Sequence, residues 1–156
     1  MKRTLLVLTL FVVLGANVAL AHATLVSSEP LPETAVTVPL EEVRLNFSEA
    51  VELDFSLFKV YGLDATGVDM EADNAWQRLN GLAGPLVSDA LASRNDSEAR
   101  VDTGLANDER RSAEVVLALR EDLEPGVYVV MWRVLSVDTH GTQEFYLFEY
   151  APQEQP

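Results

Sequence analysis

The chain of 156 residues contains no cysteine, only two histidines and only three methionines. Without cysteine there is no disulfide, no thiolate zinc site and no lipid-bearing cysteine behind a leader, so core packing alone must hold the fold. Basic residues are also scarce, 11 against 25 acidic, for a formal net charge of −14. That balance argues against nucleic acid and anionic membrane surfaces as partners, and favours cationic ones. No glycine-rich phosphate loop is present. A hydrolytic triad would have to draw on His22 or His140, the only histidines available. Long hydrophobic runs are missing too. The longest, residues 5–14, falls short of the roughly 20 residues that span a bilayer.

What is present begins with a leader. Lys2 and Arg3 precede the apolar run, and Ala19-Leu20-Ala21 closes it, which is the three-part pattern of a secretory signal peptide. Cleavage after Ala21 leaves His22 as the first residue. The rival site, after Ala23, would place a titratable histidine inside the recognition segment, so the cut after Ala21 is favoured. Residues 1–21 are therefore expected to be removed and the mature protein to be soluble, periplasmic or secreted. It keeps 135 residues, enough for one domain with a real core, with 9 basic against 25 acidic side chains.

Along the mature chain the pattern is that of strands. Residues 27–39 hold Pro30, Pro32 and Pro39 among polar residues, an extended edge with turns. Residues 43–47 alternate apolar and polar with period two, and residues 55–61 form an aromatic and aliphatic run ended by Gly62. Residues 113–119, 127–137 and 144–150 are further strands. In residues 127–137, Tyr128, Val130, Trp132 and Val134 form one face while Val127, Val129 and Met131 make the other apolar as well, which predicts a central position. Residues 64–112 break the series and are expected to be an insertion between strands. Residues 70–93 carry partial helical spacing (Trp76, Leu79, Leu82), and the polar residues 94–112 suit a mobile loop. Residues 152–156 form a tail. The expected class is all-β, an antiparallel sandwich or barrel over residues 22–151 with a partly helical or disordered insertion.

The two histidines carry the chemistry. His140 lies in Val137-Asp138-Thr139-His140-Gly141, and in extended chain Asp138 and His140 point the same way. An amino-terminal His22 offers its α-amino nitrogen and imidazole Nδ1 to one ion. With His140 and Asp138 the set is three nitrogens and one oxygen, the tetragonal arrangement that suits Cu(II).

Several blocks resemble the CopC copper-binding family. They are His22-Ala23-Thr24-Leu25, Ser27-Ser28-Glu29-Pro30, residues 43–51 (VRLNFSEAV), residues 123–128 (LEPGVY) and residues 132–141 (WRVLSVDTHG). Residues 64–112 have no counterpart among them. The resemblance implies a cupredoxin-like, immunoglobulin-like Greek-key sandwich. It also implies a single Cu(II) held by His22, Asp138 and His140, and copper resistance or homeostasis as the role. The expected protein is a monomer without enzymatic activity that sequesters copper or delivers it to a CopD-like membrane transporter. Some members carry a methionine-rich Cu(I) site. Here Met70 and Met131 are isolated, so a Cu(II)-only protein is expected, with both methionines in packing roles. A second departure is Gln143-Glu144, expected just ahead of the last strand where relatives often place glycine. Two other functions compete: a copper-dependent oxidative enzyme with a histidine brace, and a metal-free sandwich acting as an interaction module.

Overall fold

A computed structural model describes residues 23–135 and 141–153. Among the described residues, eight strands form two four-stranded sheets. Strands β1 (Leu25–Glu29), β3 (Glu42–Glu52), β6 (Arg111–Leu119) and β5 (Asp102–Leu105) make the first, in spatial order β1-β3-β6-β5. The second runs β2-β8-β7-β4, from β2 (Ala35–Val36), β8 (Gly141–Tyr150), β7 (Gly126–Leu135) and β4 (Leu57–Leu63). Pairings are antiparallel except β2 with β8, which is parallel. The chain changes sheet at β1–β2, β2–β3, β3–β4, β4–β5 and β6–β7, which gives the expected sandwich.

Period-two alternation builds the inner core. Val43, Leu45, Phe47 and Val51 of β3, with Val115 and Leu117 of β6, face Tyr128, Val130, Trp132 and Val134 of β7. Phe47 meets Trp132 edge-on, with ring centroids 5.9 Å apart and planes at 81°, the geometry that ring quadrupoles favour.

The opposite face of β7 is covered as well. Helix α1 (Ala75–Ala92) lies over Val127, Val129 and Met131 of β7, Leu147 of β8 and Tyr61 of β4. Its inward residues Leu79, Ala83, Val87, Ala90 and Leu91 recur at helical spacing. This third layer explains why β7 is apolar on both sides. Leu82, which the sequence spacing assigned to the apolar face, is 47% exposed, and its neighbour Ala83 takes the buried position. Gly81 and Pro85 sit on the solvent side of α1. Proline removes the N–H that would bond the Gly81 carbonyl, and water can replace it there.

Residues 94–112 are not a loop throughout, as their polarity predicts, because several of their charges are paired within the fold. Asp102 opens β5 and is buried. Its carboxylate accepts the Val60 N–H (2.7 Å) and holds Arg100, whose guanidinium also donates to the Phe58 carbonyl (2.9 Å). The Val101 N–H donates to the Val60 carbonyl at 2.9 Å. The free edge of β4 is thereby closed, a protection that open sheet edges require. Lys59 of β4, 2% exposed, donates to the carbonyls of Ala90 (2.6 Å) and Ser93 (2.9 Å) and pairs with Asp96. Its ammonium caps the C-terminal end of α1, where the helix dipole favours positive charge. Gln143 and Glu144 lie inside β8, and Gln143 accepts from Arg133 across the strands at 3.1 Å. The last strand therefore starts earlier than expected, since the β7–β8 pairing runs on to Leu135 and Gly141.

Candidate metal centre

His22, Asp138 and His140 lie outside the described residues. Among the described residues no group of three histidine, cysteine, aspartate or glutamate side chains could hold a metal ion. The residues that flank the three candidates are described, and Ala23 and Thr142 among them touch. Ala23, next to His22, is buried in the inner core at 2% exposure. Its carbonyl accepts a long hydrogen bond (3.4 Å) from the hydroxyl of Thr142, two residues beyond His140. Leu135, three residues before Asp138, pairs with Gly141 in the β7–β8 ladder.

The amino-terminal side is held by β3. Leu25 pairs with Phe47, while the Ser48 N–H donates to the Thr24 carbonyl at 2.8 Å. Continued one step, that antiparallel register sets Glu49 opposite Ala23. Glu49 Oε1 is buried and has no hydrogen-bond partner among the described residues, which costs free energy unless something completes it. Around Glu49, β3 keeps company with the amino-terminal segment but parts from β6. Between Asn46 (opposite Glu114) and Val51 (opposite Ser112), β3 carries extra residues that do not pair with β6. Irregularities of this kind often lie beside functional sites.

Residues 25–82 and 83–151 match the CopC domain family. The chain belongs to that family. The two matched stretches meet within α1. The copper resistance protein C of Escherichia coli is 31% identical over 131 residues, covering 83% of this chain and 82% of the relative. Protein YobA of Escherichia coli K12 is 30% identical over 128 residues, 82% of this chain and 77% of the relative. Among solved CopC-type structures, PcoC, a methionine-rich copper resistance protein from Escherichia coli, aligns with a TM-score of 0.53 at 28% identity. That alignment covers 83% of this chain and 99% of PcoC. CopC from Methylosinus trichosporium OB3b gives a TM-score of 0.52 at 24% identity, over 86% of this chain and 99% of its own, a likeness of fold. Against a methionine-rich relative, this family member holds Met131 fully buried under α1, with Met70 packed at the margin of the same cluster.

Sequence reasoning passed over Glu49, Ser48, Ser56 and Thr142. For Glu49 a signal exists: it occupies the inward parity of Val43, Leu45, Phe47 and Val51, where a strand facing a core should be apolar. The hydroxyl residues give no such signal.

Proposed function

We propose that this protein is an exported copper-binding protein of the copper-resistance type, holding one Cu(II) ion through His22, Asp138 and His140. The observation that carries the reading is the Ala23–Thr142 contact. It ties the residue after His22 to the strand that begins just after His140, so the two histidines depart from neighbouring points. Two of the relatives, copper resistance protein C and PcoC, are named for copper resistance. The ion is cargo: the chain sequesters it or passes it to a CopD-like membrane transporter. Both remaining methionines serve packing, which leaves Cu(II) as the state bound.

The cut after Ala21 is part of the proposal. A cut after Ala23 would discard a core side chain along with His22, whereas a cut after Ala21 keeps Ala23 in its buried place. Export also agrees with the absence, among the described residues, of any helix long and apolar enough to cross a membrane. In this reading Glu49 faces the new terminus, and its unpartnered oxygen accepts an N–H of the α-amino group. Outer partners of this kind orient metal-binding groups.

Competition titration of the purified mature protein against a Cu(II) chelator tests the site. His140→Ala should weaken binding by at least 100-fold and remove one nitrogen from the Cu(II) EPR pattern. Unchanged affinity in that variant would defeat the assignment. Binding should also weaken as pH falls through the imidazole range near about 6.5, because ligand nitrogens must shed protons to bind metal.

A further inference from the structure

We propose that Ser48 and Ser56 are positioning residues for the metal, gripping the backbone beside each route to the candidate ligands. The inference rests on the copper reading of His22, Asp138 and His140. It concerns residues that bind no metal themselves.

Ser48 holds the amino-terminal side. Where β3 has parted from β6, its hydroxyl oxygen accepts the Thr24 N–H at 3.1 Å and the Thr24 hydroxyl at 3.2 Å. With the Ser48 N–H on the Thr24 carbonyl at 2.8 Å, three hydrogen bonds fasten one residue two positions after His22. A regular ladder would fix Thr24 through backbone alone. Here a side chain supplies two of the three bonds, beside the bulge at Val26 that shifts the β1–β3 register.

Ser56 holds the other side. The β4–β7 ladder ends with Leu57 opposite Arg133, two residues short of Leu135. The Ser56 side chain continues it: Oγ accepts the Leu135 N–H at 3.0 Å and donates to the Glu52 carbonyl at 2.7 Å. Leu135 ends β7 three residues before Asp138, so Ser56 links the end of β3 to the base of the segment that carries Asp138 and His140. Chelation by groups from two distant parts of a chain is tight only when both are held in place beforehand. Two serines at the two departure points answer that need.

The test compares Cu(II) competition titrations and apo-protein melting for Ser48→Ala, Ser56→Ala, the rescue variants Ser48→Thr and Ser56→Thr, and His140→Ala. Loss of a group hydrogen-bonded to a metal ligand typically weakens affinity by about 10- to 100-fold, and serines acting through the backbone beyond such groups belong at the low end of that range. Each alanine variant should therefore lose about tenfold, each threonine variant should recover most of it, and apo melting should shift by only a few degrees. Wild-type affinity in both alanine variants, with His140→Ala defective, would overturn the positioning role and leave the copper site standing. Equal loss in alanine and threonine variants that also melt early would assign the serines a purely structural role and likewise overturn it. Wild-type affinity in His140→Ala would remove the copper reading and this inference with it. Should Ser56→Ala fail to fold, the exposed Ser48 decides the question alone.

Discussion

A carboxylate at position 49 stands on the inward parity of β3, between Phe47 and Val51, with one oxygen buried and unpartnered. Burying such a group is unfavourable without a partner, and its neighbour by register is Ala23, one residue after the proposed first ligand. Glu49→Gln should therefore split two properties. The apo protein should melt at the same temperature or slightly higher, since a neutral amide is easier to bury. Cu(II) affinity should fall about tenfold as the acceptor weakens. A fall in apo stability with unchanged copper affinity would show that Glu49 serves the fold alone. At this scale the sequence is uneven in what it reveals. His22, Asp138 and His140 stand out because histidine is rare here and cysteine absent. Glu49 was legible as a broken alternation. Ser48, Ser56 and Thr142 were not, because serine and threonine occur throughout and only the fold shows which hydroxyls meet a backbone group.

Elements were legible where one periodicity dominates. The two apolar faces of β7 foretold a covered strand, and the helical spacing near Leu79 foretold part of α1. Residues 94–112 are illegible in part because charge alone suggests a solvated loop, whereas Arg100 and Asp102 are paired against β4. Lys59 and Asp96 show what such pairing contributes. Burial alone would raise the Asp96 carboxyl. Hydrogen bonds from Lys59 and Tyr61, with the charges of Lys59 and Arg100, outweigh it and hold the group below its ordinary range. A carboxylate lowered by folding stabilises the protein above its unfolded value near about 4, and that contribution is lost as pH falls through the lower folded value. Asp96→Asn should accordingly flatten the acid limb of a stability–pH profile below about pH 4. Lys59→Met should be the harsher change. It leaves Asp96 buried without its cation and strips the cap from α1, a loss of about 3–5 kcal/mol by analogy with other broken buried pairs. Denaturant unfolding would measure it. A loss below about 1 kcal/mol would mean that the pair behaves as an exposed one.

At the scale of the whole molecule, the proposed copper site is tied to the core through the amino-terminal segment. Ala23 belongs to the inner core at 2% exposure, yet it is one peptide bond from the proposed first ligand. The class of fold was legible from strand spacing and turn residues. The third layer was legible only in part, since covering β7 with α1 depends on which helix face is presented. That tie predicts how three amino termini differ. Protein beginning at His22 should gain about 2.7 kcal/mol from Cu(II) at 100 times its dissociation constant, by mass action on the folded state. For a domain of this size that is a rise of about 10 °C in melting temperature. His22→Ala, beginning at the same position, should keep the apo melting temperature and lose most of the rise, because it removes a ligand and leaves Ala23 in place. Protein beginning at Thr24 should lose both, since the ligand and the buried Ala23 go together. Differential scanning calorimetry of the three forms, with terminal masses confirmed, separates the cases. An undiminished copper shift in the form beginning at Thr24 would place the metal elsewhere on the chain, and an undiminished apo melting temperature there would deny Ala23 its place in the core.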